Sequence, residues 1–403
     1  MADIDTATQY RHGMLPGATA EEASRQEFVK SFKLHLAHKV APGNKVAYER
    51  NVLPRFHKEH GRAPKDRHEV RKEMATEPTY RLWSALLRTS QEMMWNSVQI
   101  SVERQLDRLV ETAKRAKSVE QGAGGTLELN PDLEIPAYHT AVDIHCQPGA
   151  YHTEVMPDDV AAGAVYDRAV YVYAMGRMGP FNNDIGASLA EWLKKERPEL
   201  APKRILDLGC SVGHSTLPYV DLYPDAEVYG IDVGAPMLRY AHARAESLRK
   251  KVHFSQQNAE SLNFEDNTFD LIVSHILVHE TSNTAFRRIM KECNRVLAPG
   301  GVVVHVETPP YRDMAPFDAF ILDWDTRNNN EPYWGGSHEI DPVKLAEETG
   351  FPTDGVFETL APSAFAEAEA RRTHAFRGGD FAGGGVWYCY GMQKAEATQE
   401  AAE

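Results

Sequence analysis

The sequence predicts an α/β protein, with a parallel sheet covered by helices on both faces and a mostly helical domain ahead of it. Three observations carry this. Short apolar runs recur at Ile205 to Leu208, Glu227 to Ile231, Lys251 to Ser255, Phe269 to Ser274 and Gly301 to Val306, with helical stretches in the intervals. Strand alternating with helix at this spacing builds a parallel sheet. Over the first 120 residues the apolar positions recur instead at helical spacing. A chain of 403 residues with 42% hydrophobic content can also bury more than one core.

Taken in order, residues 1 to about 20 form a polar arm with Pro16 and Gly17. From Ala20, Phe28, Phe32, Leu36 and Val40 fall on one helical face, and Pro42-Gly43 is expected to end the run. Val46 to His60 is helical with an interruption at Pro54. A longer helical stretch spans Asp66 to Ser118, broken near Pro78, with Leu82, Leu86, Met93, Ile100, Leu106 and Val110 as its apolar side. These residues read as packing between helices. Gln121 to Gly125 is a linker into an irregular, Pro-containing segment that holds His139, His145, Cys146 and His152. Imidazole and thiolate are the usual zinc ligands, but the spacing fits no standard pattern. No metal is expected there, and the segment is read as a cover for the active site. Val160 to Trp192 is helical and carries Tyr166, Tyr171, Tyr173, Arg177 and Phe181.

The informative stretch begins at Arg204. The run Ile205 to Leu208 stops at Gly209 and Gly213, where an amphipathic segment starts, giving strand, tight turn and helix. Glycine lets the backbone turn sharply and lets a ligand lie against it, and the helix start offers N–H groups. Pro218 falls early in that helix, where a missing N–H costs little. A second strand ends on Asp232, nineteen residues after Gly213. A carboxylate at that strand tip is where doubly wound sheets bind ribose hydroxyls. The spacing departs from the G-x-G-x-x-G dinucleotide pattern.

Here the chain resembles the class I S-adenosylmethionine-dependent methyltransferases, over roughly Lys203 to Gly301. The matching pieces are DLGCSVG at Asp207 to Gly213, Asp232, the triplet Asn258-Ala259-Glu260, FEDNTFDLIVSHILVHE from Phe264 to Glu280, and RVLAPGGVVV from Arg295 to Val304. The resemblance implies a Rossmann-like seven-stranded sheet with helices on both faces. Val356 to Leu360 and Val386 to Met392 would form its antiparallel edge hairpin, parted by an insertion at about 361–385. It also implies S-adenosylmethionine as cofactor and S-adenosylhomocysteine as product. By that resemblance the turn at Gly209, Ser211 and Gly213 holds the methionine portion, with Asp207 organising the loop. Asp232 takes the ribose hydroxyls, Met237 packs on adenine, Asn258 meets the adenine amino group, and Ala259 and Glu260 complete the wall. Ser274 lies at the tip beside the transferred methyl group, and Tyr166, Tyr173 or Arg177 is available to close over the methionine end. His279 and His275 are the candidate bases, with Glu307 to orient one of them. Imidazole, with its ordinary pKa of about 6.5, suits that role.

The domains read as 1–120, helical; 121–160, linker and cap; 161–394, methyltransferase; and 395–403, a disordered tail. A net charge of -14 excludes a nucleic-acid groove as the main feature. Four scattered cysteines and the lack of an apolar membrane-length run point to a cytoplasmic protein. The expected reaction is methyl transfer to a small molecule, with oxygen as the first candidate acceptor and nitrogen, sulfur and carbon left open. Pairing of two copies through the N-terminal helices is also left open. Two other classes of answer stand beside it. One is a non-catalytic cofactor-binding protein, and the other is a serine hydrolase using Ser211, since Gly209 to Gly213 also spells G-x-S-x-G.

Overall fold

The computed structural model describes residues 9–117, 122–365 and 385–397. The expectations for 1–8, for 118–121, for 366–384 of the insertion and for 398–403 of the tail lie outside the described residues. The strands are β1 (Thr126–Glu128), β2 (Arg204–Leu208), β3 (Glu227–Asp232), β4 (His253–Gln256), β5 (Phe269–His275), β6 (Leu297–Glu307), β7 (Val356–Pro362) and β8 (Val386–Gln393). They form one sheet in the order β1-β4-β3-β2-β5-β6-β8-β7. Pairing is parallel from β1 through β6, and β8 runs antiparallel between β6 and β7. The seven expected strands are all present, and an eighth, β1, joins from the segment read as irregular. Three residues are too short to show a period in the sequence, and β1 exists because β4 offers it an edge.

Side chains of the sheet alternate between two layers, as the two-residue pleat requires. Ile205, Leu271, Val273, Val302 and Val304 pack on one side, and Leu206, Leu208, Ile272 and Val303 on the other. Strand order reverses between β2 and β5, so the crevice outside their carboxyl ends is where this topology places a ligand. Pro299-Gly300-Gly301 lies inside β6, where the register jumps from Leu297 opposite Phe269 to Val302 opposite Leu271. Gly300 absorbs the bulge at φ +76°.

The helical region differs from its apolar pattern. In the helix Ala20–His35 the buried residues are Glu22, Gln26, Val29 and Lys33, while Phe28 is 59% exposed and stacks on Phe32. In Pro78–Glu103 the buried side carries Trp83, Ser90, Gln91, Met94, Trp95 and Val98, while Leu82 and Ile100 face out. Each buried polar group has a partner that sequence does not show: Gln26 reaches Ser97 O and Ser101 Oγ, and Lys33 donates to Gln91 Oε1 at 3.0 Å. Burial pushes the Lys33 ammonium down to about 8. Pro42 does not end the first run, because a π-helical turn, Leu36–Val40, leads directly into the helix Pro42–Ala47. The expected helix over Val160 to Trp192 is two, Ala161–Tyr173 and Asp184–Glu196. Between them Met175, Gly176, Gly179 and Asn182 all take positive φ.

Asp167 joins the parts. Fully buried, it lies 2.9 Å from His12 Nε2 of the N-terminal arm and 2.8 Å from His214 Nε2, and accepts from Gln9 at 2.9 Å and Tyr240 at 2.8 Å. Burial opposes its charge, but the two imidazoles hold the carboxyl well below the usual range. No helix among the described residues is long and apolar enough to cross a membrane.

Candidate functional site

At the carboxyl end of β2 the chain turns through Gly209 at φ +65°, Ser211 at +50° and Gly213 at +78°. The positive φ favours glycine at 209, and a Cβ there would sit 2.6 Å from Leu277 Cδ1 and displace that side chain. Asp207 anchors the turn: its carboxylate accepts from Thr216 Oγ1 at 2.5 Å and lies 3.1 Å from His275 Nδ1. Asp232, at the tip of β3, accepts from Ser211 N at 2.9 Å and Gly234 N at 2.8 Å. Burial pushes its carboxyl up to about 6. Each Asp232 oxygen keeps a lone pair for a further donor.

These groups open on one cavity, which runs from Asp232 and Asn258 past Gly209 and Ser211 to Glu280, His145 and Glu331. Of the residues expected from sequence, Asp207, Gly209, Ser211, Asp232, Asn258 and Ala259 line it, as do Tyr166, Tyr173 and His275. The others do not. Gly213 packs toward Phe254, and Met237 is buried in the core while Val233 takes the cavity wall. Glu260 is turned away by Arg288 and by Tyr138, whose hydroxyl donates to it at 2.9 Å. Ser274 precedes His275 on β5 and so points to the opposite face, where it meets His305 Nδ1 at 2.7 Å. His275 has both nitrogens engaged, by Asp207 and by Tyr219 Oη at 3.0 Å, which leaves none to take a proton from an acceptor. His279 is fully buried behind the wall, its Nδ1 2.9 Å from Glu307 Oε2. Glu307 also accepts from Val278 N at 2.7 Å, fixing the turn after β5.

The far end of the cavity was not legible as a unit. His145 Nε2 lies 3.1 Å from Glu280 Oε1, and its Nδ1 lies 2.8 Å from Glu331 Oε1. Tyr151 donates to Glu280 at 3.2 Å, and Trp95 Nε1 donates to the His145 carbonyl at 2.7 Å. Burial disfavours charge on His145, yet the two glutamates outweigh it and hold the imidazole well above the ordinary histidine range. Burial also pushes Glu280 up, and His145 more than reverses this. At Asp325 burial and the Glu331 charge outweigh the pull of His145 and His279 and push the carboxyl up to about 8. The four residues His139, His145, Cys146 and His152 do not converge. His139 and His152 pair with each other at 5.8 Å between rings, Cys146 turns to Asn329, and His145 alone reaches the cluster. The signal available in sequence was the polar run Asn328 to Glu331 between Trp324 and Trp334, in the segment after β6.

Residues 205–301, which include the turn, Asp232, Asn258 and the loop after β5, match the family model for a methyltransferase domain. Over these residues the chain is similar to known methyltransferase domains. The methyltransferase segment is similar to demethylmenaquinone methyltransferase of Thermus thermophilus, 39% identical over 112 residues, or 28% of this chain and 50% of that one. It is also similar to malonyl-[acyl-carrier protein] O-methyltransferase of Legionella pneumophila, 29% identical over 134 residues, or 33% of this chain and 45% of that one. The chain thus spans about half the length of the curated relatives it matches. Among solved structures, Haemonchus contortus phosphoethanolamine N-methyltransferase 2 in complex with S-adenosyl-L-methionine is 17% identical and covers 58% of this chain and 60% of its own, at a TM-score of 0.41. The hydrolase reading of the methyltransferase turn lacks its base, since no histidine is hydrogen-bonded to Ser211 Oγ among the described residues.

Proposed function

We propose that the chain transfers a methyl group from S-adenosylmethionine to a small-molecule acceptor, with oxygen as the acceptor atom. One observation carries this: a single cavity joins the turn at Gly209 and the Asp232 carboxylate to a cluster of ionisable groups around Glu280. The residues at the first end fit the cofactor. Asp232 keeps acceptor capacity for ribose hydroxyls, the Gly209 turn brings bare backbone to the cavity, and Tyr166 stands over it, stacked on His214 at 5.8 Å.

When bound, S-adenosylmethionine supplies an electrophilic methyl group on a sulfonium. The chain's task is then alignment and water exclusion, which can lower the barrier by several kcal/mol without a covalent intermediate. Gln91, Trp95, Tyr151 and Glu331 wall the acceptor end. Loss of the acceptor proton belongs to the cluster at Glu280, which faces the cavity, and not to His275 or His279, for the geometric reasons above. We divide the chain accordingly, with 161–394 carrying the cofactor and 1–120 and 121–160 joining it to build the acceptor pocket. Four buried thiols without disulfides support a cytoplasmic setting. The stacked Phe28 and Phe32 are the surface that pairing through the N-terminal helices would use.

Calorimetric titration with S-adenosylmethionine and, separately, S-adenosylhomocysteine tests the reading. Micromolar binding of both is expected, followed by gain of one methyl group in an acceptor screen read by mass. Absence of binding by either compound to folded protein, or fluorophosphonate labelling of Ser211, overturns it.

A further inference from the structure

We propose that the acceptor end of the cavity binds one divalent transition-metal cation of the zinc or iron(II) class, through His145, His279 and Glu280. Each of these residues offers a ligand atom, and the three atoms lie within 4.8 Å of one another. Two imidazoles and a carboxylate are the donor set of open zinc and non-haem iron sites, which keep a coordination position for a further ligand.

The geometry of the histidines gives the first argument. His279 Nδ1 is held by Glu307 Oε2 at 2.9 Å, and His145 Nδ1 by Glu331 Oε1 at 2.8 Å. Each ring is therefore oriented by a carboxylate on Nδ1 and presents Nε2, the way metal-ligating imidazoles are held. Finding it twice, on residues 134 apart in sequence whose rings meet edge to face with centroids 5.8 Å apart, asks for something between them.

Unsatisfied atoms give the second. His279 Nε2 and Glu331 Oε2 are fully enclosed and have no hydrogen-bond partner, although they lie 3.8 Å apart. His279 is 0% exposed and Glu331 2%. Leaving such atoms unpaired is unfavourable, and a cation on His279 Nε2 removes the defect while placing positive charge beside Glu331. His145 Nε2 now shares a proton with Glu280 Oε1 across 3.1 Å, and the cation would take that proton's place.

The use of the metal rests on the methyl-transfer reading; its binding does not. His145 and Glu280 line the cavity, so the open coordination position faces the acceptor. An acceptor hydroxyl coordinated there gives up its proton to the cluster, whose Glu331 carboxylate lines the cavity and is not a ligand. Its lone pair then forms the bond to the methyl carbon as the methyl–sulfur bond breaks, leaving a neutral thioether.

The test uses the full chain with any affinity tag removed, titrated with Co²⁺ and Zn²⁺ alone. One equivalent per chain is expected, with the intense visible absorption of Co²⁺ at four or five coordination. Glu280→Gln and His145→Gln should each weaken binding by more than about a hundredfold, and Glu307→Gln by about tenfold to a hundredfold. Circular dichroism and thermal unfolding confirm that each variant is folded, and the partly exposed Glu280 keeps the test open if a histidine variant does not fold. No stoichiometric Co²⁺ on folded wild-type protein, or unchanged affinity in both ligand variants, overturns the proposal. S-adenosylmethionine titrated into the same sample separates the two readings. Cofactor binding without metal defeats only the metal site, whereas metal binding without cofactor upholds the site and defeats its role in methyl transfer.

Discussion

The two ends of the cavity are built on different principles. The cofactor end is drawn from residues 207–259, and much of its shape is backbone: positive φ at Gly209 and Ser211, and two N–H groups donating to Asp232. The acceptor end is assembled from side chains far apart in sequence, Gln91, Trp95, His145, Tyr151, Glu280 and Glu331, which meet only because the helical region and the segment after β6 fold over the sheet. A site written in local backbone geometry must keep glycines and strand tips at fixed spacing. A side-chain network carries no such constraint, because any position that points inward can serve.

The seam between the N-terminal arm and the sheet, which supports both ends, should give the largest effect. Asp167→Asn leaves His12, His214 and Arg244 around an uncharged amide, and the loss in unfolding free energy is expected at about 3–5 kcal/mol by urea denaturation. A loss below about 1 kcal/mol would show that the arm and sheet are held together by apolar packing instead.

Next comes the division itself. Asp232→Ala is expected to lower S-adenosylmethionine affinity by about a hundredfold, the value of two hydrogen bonds to a charged acceptor. Glu331→Gln should leave that affinity within about twofold. Equal losses in calorimetry would mean that the ends are not separable.

The smallest effect is the pH dependence of the cofactor end. The folded Asp232 carboxyl is raised to about 6 from an ordinary 3.8. On the proposed reading the ionised form accepts ribose hydrogen bonds, so affinity is expected to be full above that value and to be lost as pH falls through it, by about tenfold between pH 7 and 5. Asp232→Asn should flatten the profile. A wild-type profile level from 7 to 5 would place the carboxyl in its ordinary range.

The alternation of strand and helix, the Gly209 turn and Asp232 at a strand tip were legible because strand period, turn chemistry and strand-tip position are local properties of the chain. Face assignments were less so. Ser274 and His275 are neighbours on β5, and the pleat sends one to His305 and the other to the cavity. Which one faces in depends on the layer packed above. In the helix Ala20–His35 the phenylalanines gave the wrong face, since Gln26 and Lys33 find polar partners on Pro78–Glu103 that no periodicity announces.

The sequence by itself determined seven strands of the sheet, the glycine turn and the acid at the strand tip, because hydrophobic period and glycine sterics act over a few residues. The tertiary structure alone decided that His145 and Glu331 would stand against Glu280 and His279. Burying ionisable groups is favourable only when partners arrive together, and that arrival is a property of the packed chain.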